Sequence, residues 1–252
     1  MSSTTVACQP WVALLAFVVI VYFSVRNVMW IRSIELPSGE KGSGYLGARA
    51  RIWFRECTAP FEDALTATPV GPDALTYSQI FVALAAGTAF ACGAMFIGGW
   101  LVIAAGTMDV LDGAIARRRG GGTTRGAFID SVVDRYAELL VYAGLAVYFR
   151  NSWVIWVIGL ALFGSVMVSY ARARAEGLGA SCQVGGAQRP ERIVLLGFGA
   201  FLSDIAAHIW CAWTGVFSHA LLAIALVAMA AIANLTALGR IRWAAHHLSG
   251  TG

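Results

Sequence analysis

Seven stretches of about twenty mostly apolar residues constrain this chain more than any other feature. They fall near 11–30, 74–92, 95–117, 127–149, 152–172, 191–211 and 217–239. A helix needs roughly 20 apolar residues to cross the hydrocarbon of a bilayer. A membrane β-barrel would instead show short segments of alternating polarity. Composition agrees with helices in lipid: 58% of residues are hydrophobic and 13% charged, against about 25% charged in soluble domains. The chain is predicted to be an all-α integral membrane protein.

Arginine and lysine placement orients the spans. One set of connections carries Arg32, Lys41, Arg49, Arg51 and Arg55, then Arg117, Arg118, Arg119 and Arg125. The same set holds Arg172, Arg174, Arg189, Arg192, Arg240 and Arg242, whereas the opposite set has only Arg150. Seven spans put the first set on one face, predicted to be cytoplasmic, with the N-terminus outside. The net charge of +4 is then a topology signal, and no nucleic-acid partner is expected. Residues 1–31 read as a retained transmembrane anchor, because Met1 to Pro10 hold no basic residue and the apolar run is long for a signal peptide. Residues 32–73 read as a cytoplasmic connector. In it Tyr45 to Arg55 alternates basic and aromatic residues, as in an amphipathic helix lying in the interface; a solvated linker is the other reading. Residues 74–242 form the bundle and 243–252 a tail. The five cysteines form no CxxC pair and read as unpaired thiols.

Four carboxylates interrupt this apolar background: Asp109, Asp112, Asp130 and Asp134. Carboxylates in a membrane segment are expensive and mark function by default. Asp109 and Asp112 are i,i+3, and Asp130 and Asp134 are i,i+4, so each pair shares a helix face. A short loop makes the two helices antiparallel neighbours. With helix ends near 118 and 126, Asp112 and Asp130 lie roughly 6–9 Å from the loop, and Asp109 and Asp134 roughly 12–14 Å. The levels match, so the four can converge. Without a cation they would repel; a hard divalent ion with oxygen ligands resolves this, and two ions suit that many ligands. Gly113 and Gly126 clear side chains from beside the carboxylates. Neutralisation of the aspartates by Arg117–Arg119 and Arg125 is the purely structural alternative.

The spacing D-x2-D-G-x2-A-R-x8-G-x3-D-x3-D, from Asp109 to Asp134, resembles the signature of the CDP-alcohol phosphotransferase family with every position filled. The resemblance implies a six-helix transmembrane bundle, here preceded by one extra N-terminal transmembrane helix. It implies transfer of a substituted phosphate from a CDP-alcohol, commonly CDP-diacylglycerol, to an acceptor hydroxyl, with release of CMP. It also implies Mg2+ (two ions, with Mn2+ an alternative) and a homodimer in the bilayer. By that similarity Asp109, Asp112, Asp130 and Asp134 would be metal ligands, and Asp134 also the base that takes the acceptor's proton. Asp112, Gly113, Ala116, Arg117 and Gly126 would line the CDP site with Thr76 and Asp73. The family often has Asn where Asp73 stands, and Asp accepts but does not donate.

Arg172 and Arg174 end one span; Arg189, Pro190 and Arg192 open the next. Pro fits a first helical turn, and a helix N-terminus attracts anions. The run is similar to that of the bacterial phosphatidylinositol-phosphate synthase branch, which implies that Arg172, Arg174, Arg189 and Arg192 bind the acceptor's phosphate, Arg172 and Arg189 foremost. Positive-inside residues with no ligand are the other reading. Inositol phosphate is the first acceptor; a phosphatidylglycerol-phosphate synthase or a member using a soluble CDP-alcohol remain alternatives. A carboxylate-lined cation transporter ranks below these, because the outer half is nearly all apolar apart from Asp204 and His208, which read as a buried pair. Arg135 and Glu138, i,i+3, read as another pair.

Overall fold

A computed structural model of the chain describes residues 26–31, 33, 47–182, 184–186, 188–214 and 219–248. All regular structure among them is α-helical. The helices are α1 (Gly47–Thr66), α2 (Pro72–Ala91), α3 (Met95–Arg118), α4 (Thr124–Tyr148), α5 (Val154–Gly177), α6 (Arg189–Thr214) and α7 (Ala220–Leu248). Most of the predicted anchor, near 11–30, lies outside the described residues. The last helix runs on to Leu248, past residue 242, where the sequence suggested the bundle would end.

Local chemistry sets the helix ends around the loop between α3 and α4. Arg119 N–H closes the last turn on Ile115 O. Gly120 and Gly121 then take φ of 110° and 100°, a region in which Cβ-bearing residues are strained. Thr123 caps α4, its Oγ1 accepting from Gly126 N–H at 3.0 Å. At α2, Gly71 is extended and Pro72 occupies the first turn, followed by Asp73, the arrangement that favours a helix start.

Among the described residues, five helices are long and apolar enough to cross a membrane: α2, α3, α5, α6 over Arg189–Cys211, and α7. The chain thus has the make-up of a multi-pass integral membrane protein. Helix α4 is as long, but carries Arg125, Asp130, Asp134, Arg135 and Glu138 toward its N-terminal end. Large apolar side chains face outward, among them Phe81, Phe128, Trp156, Phe163 and Leu235, an exposed apolar surface of the kind that marks contact with lipid.

Helix α2 is the spine. It packs along α3 on one side and α4 on the other, while α3 packs on α6, α5 on α7, and α6 on α7. The antiparallel pairing expected of α3 and α4 takes a different form. They make no extended contact with each other; both lean on α2 and leave a cleft between them at the loop end. Helices α2 and α4 cross backbone to backbone at Gly87 and Gly144. A Cβ on Gly144 would lie 1.9 Å from Gly87 O, and one on Gly87 would lie 2.4 Å from Leu140 O. Below the crossing, Phe90, Met95, Tyr142, Leu145, Leu222 and Leu226 fill the core.

Helix α1 is fastened across the loop end. Its Thr58 and Glu62 are buried. Arg118 pairs with Glu62 at 3.2 Å and with Asp63. Arg119 donates to Val70 O and Thr68 O, each at 2.7 Å, and to Thr66 O at 3.3 Å and Leu65 O at 3.4 Å. It thereby gathers carbonyls of the last turn of α1 and of the segment that follows it. Arg51 reaches Glu191 on α6 at 3.8 Å, and Trp53 meets Trp30 edge to face at 6.4 Å.

Gly144→Val should destabilise the fold by more than the about 1–3 kcal/mol of ordinary overpacking, because a carbonyl and not a side-chain tip stands in the way. Thermal melting of detergent-purified protein checks this. Gly159→Ala, with nothing within 4 Å of a Cβ, should melt like wild type; equal melting of both variants would show that the helices do not cross this closely.

Candidate active site

The cleft between α3 and α4 is where the carboxylates meet. Asp109 and Asp112 come from α3 and Asp130 from α4. Each offers a carboxylate oxygen, and the three oxygens lie within 4.8 Å of one another. No other group of three or more His, Cys, Asp or Glu among the described residues is as close. Helix α2 supports the cluster from behind: Thr76 Oγ1 donates to Asp112 Oδ2 at 2.7 Å. Asp112 is 5% exposed, so this bond aims a carboxylate that water scarcely reaches.

This donor set fits a hard divalent cation. All three ligands are oxygens, the ligand type such ions select. Asp130 Oδ1 is buried and accepts no hydrogen bond among the described residues, a state that is costly for a carboxylate unless a cation meets it. With an ion there, Thr76 would be an outer partner that orients Asp112.

Asp134, one turn further along α4, stands beside this trio. Its Oδ1 lies 2.6 Å from Arg189 Nη1 and accepts from Gln79 Nε2 at 3.4 Å. Its Oδ2 is 3.7 Å from Arg135 Nη2. The same Arg189 Nη1 is 2.6 Å from Asp109 Oδ2. The level matching of Asp109 with Asp134 is therefore present, with a guanidinium between them.

Residues expected on the CDP side gather at the mouth of the cleft. Arg117 is exposed and folds over Gly113; a Cβ on Gly113 would sit 3.3 Å from Arg117 Nη1. Ala116 is half-buried beside it. Gly126 faces Asp73, whose Oδ1 would be 4.0 Å from a Cβ there. Asp73 also meets Arg125 at 3.7 Å. Thr76 is already committed to Asp112.

The four arginines assigned to the acceptor separate into two pairs. Arg189 and Arg192, at the start of α6, point into the cleft, and Arg192 is 5% exposed with its Nε donating to Glu138 Oε1 at 3.2 Å. Arg135 also pairs with Glu138, at 3.4 Å, as the i,i+3 spacing suggested, and donates to Ser169. Arg172 turns to Glu176 at 2.8 Å, and Arg174 is exposed. A small cavity continues inward from the site, lined by Gln79, Glu138, Tyr142, Arg189 and Arg192 with apolar neighbours.

Two contributors escaped the sequence reading. Gln79, 1% exposed, supports Asp134; its signal is a glutamine one turn after Thr76 in an apolar helix. Arg240 looked like one more orientation charge. It is 4% exposed and donates to Val184 O and Val168 O, each at 2.8 Å, tying the segment before Arg189 to α5.

A family model described as CDP-alcohol phosphatidyltransferase matches residues 70–235. The chain is 41% identical over 139 residues to archaetidylinositol phosphate synthase of Methanothermobacter thermautotrophicus, covering 55% of this chain and 69% of that one. It is 33% identical over 200 residues to phosphatidylinositol phosphate synthase of Mycobacteroides abscessus, covering 77% and 91%. Among solved structures it is similar to Mycobacterium tuberculosis phosphatidylinositol phosphate synthase with CDP-DAG bound: TM-score 0.64, 29% identity, 75% of this chain and 94% of that chain. The same enzyme in complex with manganese and citrate also has TM-score 0.64 and 29% identity, with 74% and 88% covered. The matched span contains every carboxylate of the cleft, and this chain belongs to the CDP-alcohol phosphatidyltransferase family.

Proposed function

We propose that this chain transfers a phosphatidyl group from CDP-diacylglycerol to a hydroxyl of inositol phosphate and releases CMP. The observation that carries the chemistry is the trio Asp109, Asp112 and Asp130, whose oxygens lie within 4.8 Å of one another at the mouth of a lipid-facing bundle. The acceptor rests on the relatives: their names differ in the lipid half, archaetidyl or phosphatidyl, and agree on inositol phosphate. The 41% match to the archaetidyl enzyme favours a second donor reading, a CDP-activated archaetidyl lipid. Six core helices, α2 to α7, would span the membrane with the cleft on the cytoplasmic side, where the arginine-rich connections lie. Helix α1 would rest in that interface, and the chain would act as a homodimer.

Asp109, Asp112 and Asp130, with Asp134 on one flank, would hold Mg2+ or Mn2+. When bound, the ions supply positive charge to the pyrophosphate and to the leaving CMP. The chain's own residues do the rest. Thr76 holds Asp112 in its ligating rotamer. Gly113, Ala116, Arg117 and Gly126 leave room for the cytidine and ribose, with Asp73 as a hydrogen-bond acceptor at the rim. Arg189 and Arg192 meet the acceptor's phosphate, since planar guanidinium forks match phosphate oxygens; Arg172 and Arg174 add charge at the approach. Asp134 accepts the proton of the attacking hydroxyl as its oxygen bonds to the phosphatidyl phosphorus and the bond from that phosphorus to CMP breaks.

Purified protein with Mg2+ should release CMP from CDP-diacylglycerol when given inositol phosphate, and far less with inositol, serine or glycerol 3-phosphate. Asp134→Asn should lower turnover by at least about 100-fold, the usual worth of a positioned base. Turnover with glycerol 3-phosphate alone would move the chain to a phosphatidylglycerol-phosphate synthase, and no turnover with any acceptor would remove the transferase reading. Metal binding gives a separate check. By calorimetry Thr76→Ala should weaken Mn2+ about 10-fold, as loss of an outer partner does, and Asp112→Asn should weaken it further; unchanged affinities would take these residues out of the metal site.

A further inference from the structure

Arg189 stands among the carboxylates as well as on the acceptor side. It is the first residue of α6, and its side chain is 16% exposed. Its Nη1 lies 2.6 Å from both Asp109 Oδ2 and Asp134 Oδ1. Both contacts use the same nitrogen, so the guanidinium bridges two carboxylates and does not form a fork on either. The other groups around Asp134 are Gln79, on the same Oδ1, and Arg135, at Oδ2. One of the two oxygens of Asp134 is thus already covered, and the other faces Arg135 at 3.7 Å.

Arg192 is held differently. Its Nε is bonded to Glu138, and Glu138 is itself tied to Arg135. Arg192 is held through Nε on one carboxylate, whereas Arg189 is held through one nitrogen that two carboxylates share. A phosphate dianion offers Arg189 what the carboxylates do not: two oxygens of one group in bidentate geometry.

We propose that Arg189 is a latch on Asp134, an inference that rests on the phosphorylated acceptor of the preceding section. With no acceptor present, the guanidinium covers Asp134 Oδ1. The acceptor's phosphate draws it away toward Arg192, and Asp134 is uncovered only when a hydroxyl has come with that phosphate. Water brings no phosphate, so the donor is protected from hydrolysis. Transfer and hydrolysis would otherwise use the same bonds: an oxygen attacks the phosphatidyl phosphorus, the bond to CMP breaks with its electron pair leaving on CMP, and the proton goes to Asp134. With water as attacker the products are phosphatidic acid and CMP.

The test measures CMP and phosphatidic acid from CDP-diacylglycerol and Mg2+ with no acceptor. Arg189→Ala should hydrolyse the donor at least about 10-fold faster than wild type, a fraction of the about 100-fold that a positioned base contributes, while transfer to inositol phosphate falls. Arg189→Gln, which keeps the bulk and loses the charge, should do the same. Inorganic phosphate, which carries no acceptor alcohol, should stimulate hydrolysis by wild type and leave Arg189→Ala unaffected. By calorimetry without donor, Arg189→Ala should bind Mn2+ more tightly, since the competing charge is gone. Hydrolysis by the variants at or below the wild-type rate, or no stimulation of wild type by inorganic phosphate, overturns the latch even if transfer proceeds normally. A wild type that transfers to no acceptor overturns the parent reading and the latch with it.

Discussion

The carboxylates of α3 and α4 are the constraint on which the rest of the chain depends. Charge buried away from water is costly unless opposite charge and hydrogen bonds meet it. Asp109, Asp112, Asp130 and Asp134 meet this demand jointly. Thr76 and Gln79 supply donors from α2, Arg135 supplies charge from α4 itself, and Arg189 supplies it from α6. Helices α2 and α6 therefore each contribute at least one polar group to the same cleft. The positions of α2 and α6 are fixed by the cleft as much as by their apolar faces.

That arrangement explains why α2 and not the α3–α4 contact is the structural spine. If α3 and α4 packed tightly, their carboxylates would have no space between them for a cation and a pyrophosphate. Leaning both helices on α2 opens the space and keeps the donors of α2 at its back. Around the mouth, arginines close the structure. Arg118 and Arg119 fasten α1, and Arg240 fastens the segment leading to Arg189. Arginine suits these positions because one planar group serves several oxygens at once.

Much of the cleft was legible in the sequence, and for definite reasons. The i,i+3 and i,i+4 spacings put each pair of aspartates on one face, and helical rise set their levels, so convergence followed from arithmetic. The helix ends taken near 118 and 126 lie close to the observed Arg118 and Thr124. What spacing cannot give is the position of one helix relative to another far along the chain. Arg189 could be placed on the acceptor side but not between Asp109 and Asp134, because that depends on where α6 meets α3. Arg172 was grouped with it by charge, although the i,i+4 relation to Glu176 already offered a nearer partner. Arg119 and Arg240 were read as topology signals because orientation statistics do not distinguish an arginine in water from one bonded to carbonyls.

The Gly87–Gly144 crossing has a mechanical consequence. With no side chains between the two backbones, the helices touch directly here, and any change in their crossing angle is carried out to their ends. Thr76 and Asp134 sit at nearly equal arms from this point, roughly 16 and 15 Å along their helices. The two limbs therefore behave as a pair of scissors with the pivot deep in the bundle. A few degrees of opening at the pivot shifts the tips by on the order of 1 Å, enough to separate the groups that hold the carboxylates in place. The precision of the cleft is thus set by an angle held at two glycines far from any reacting atom.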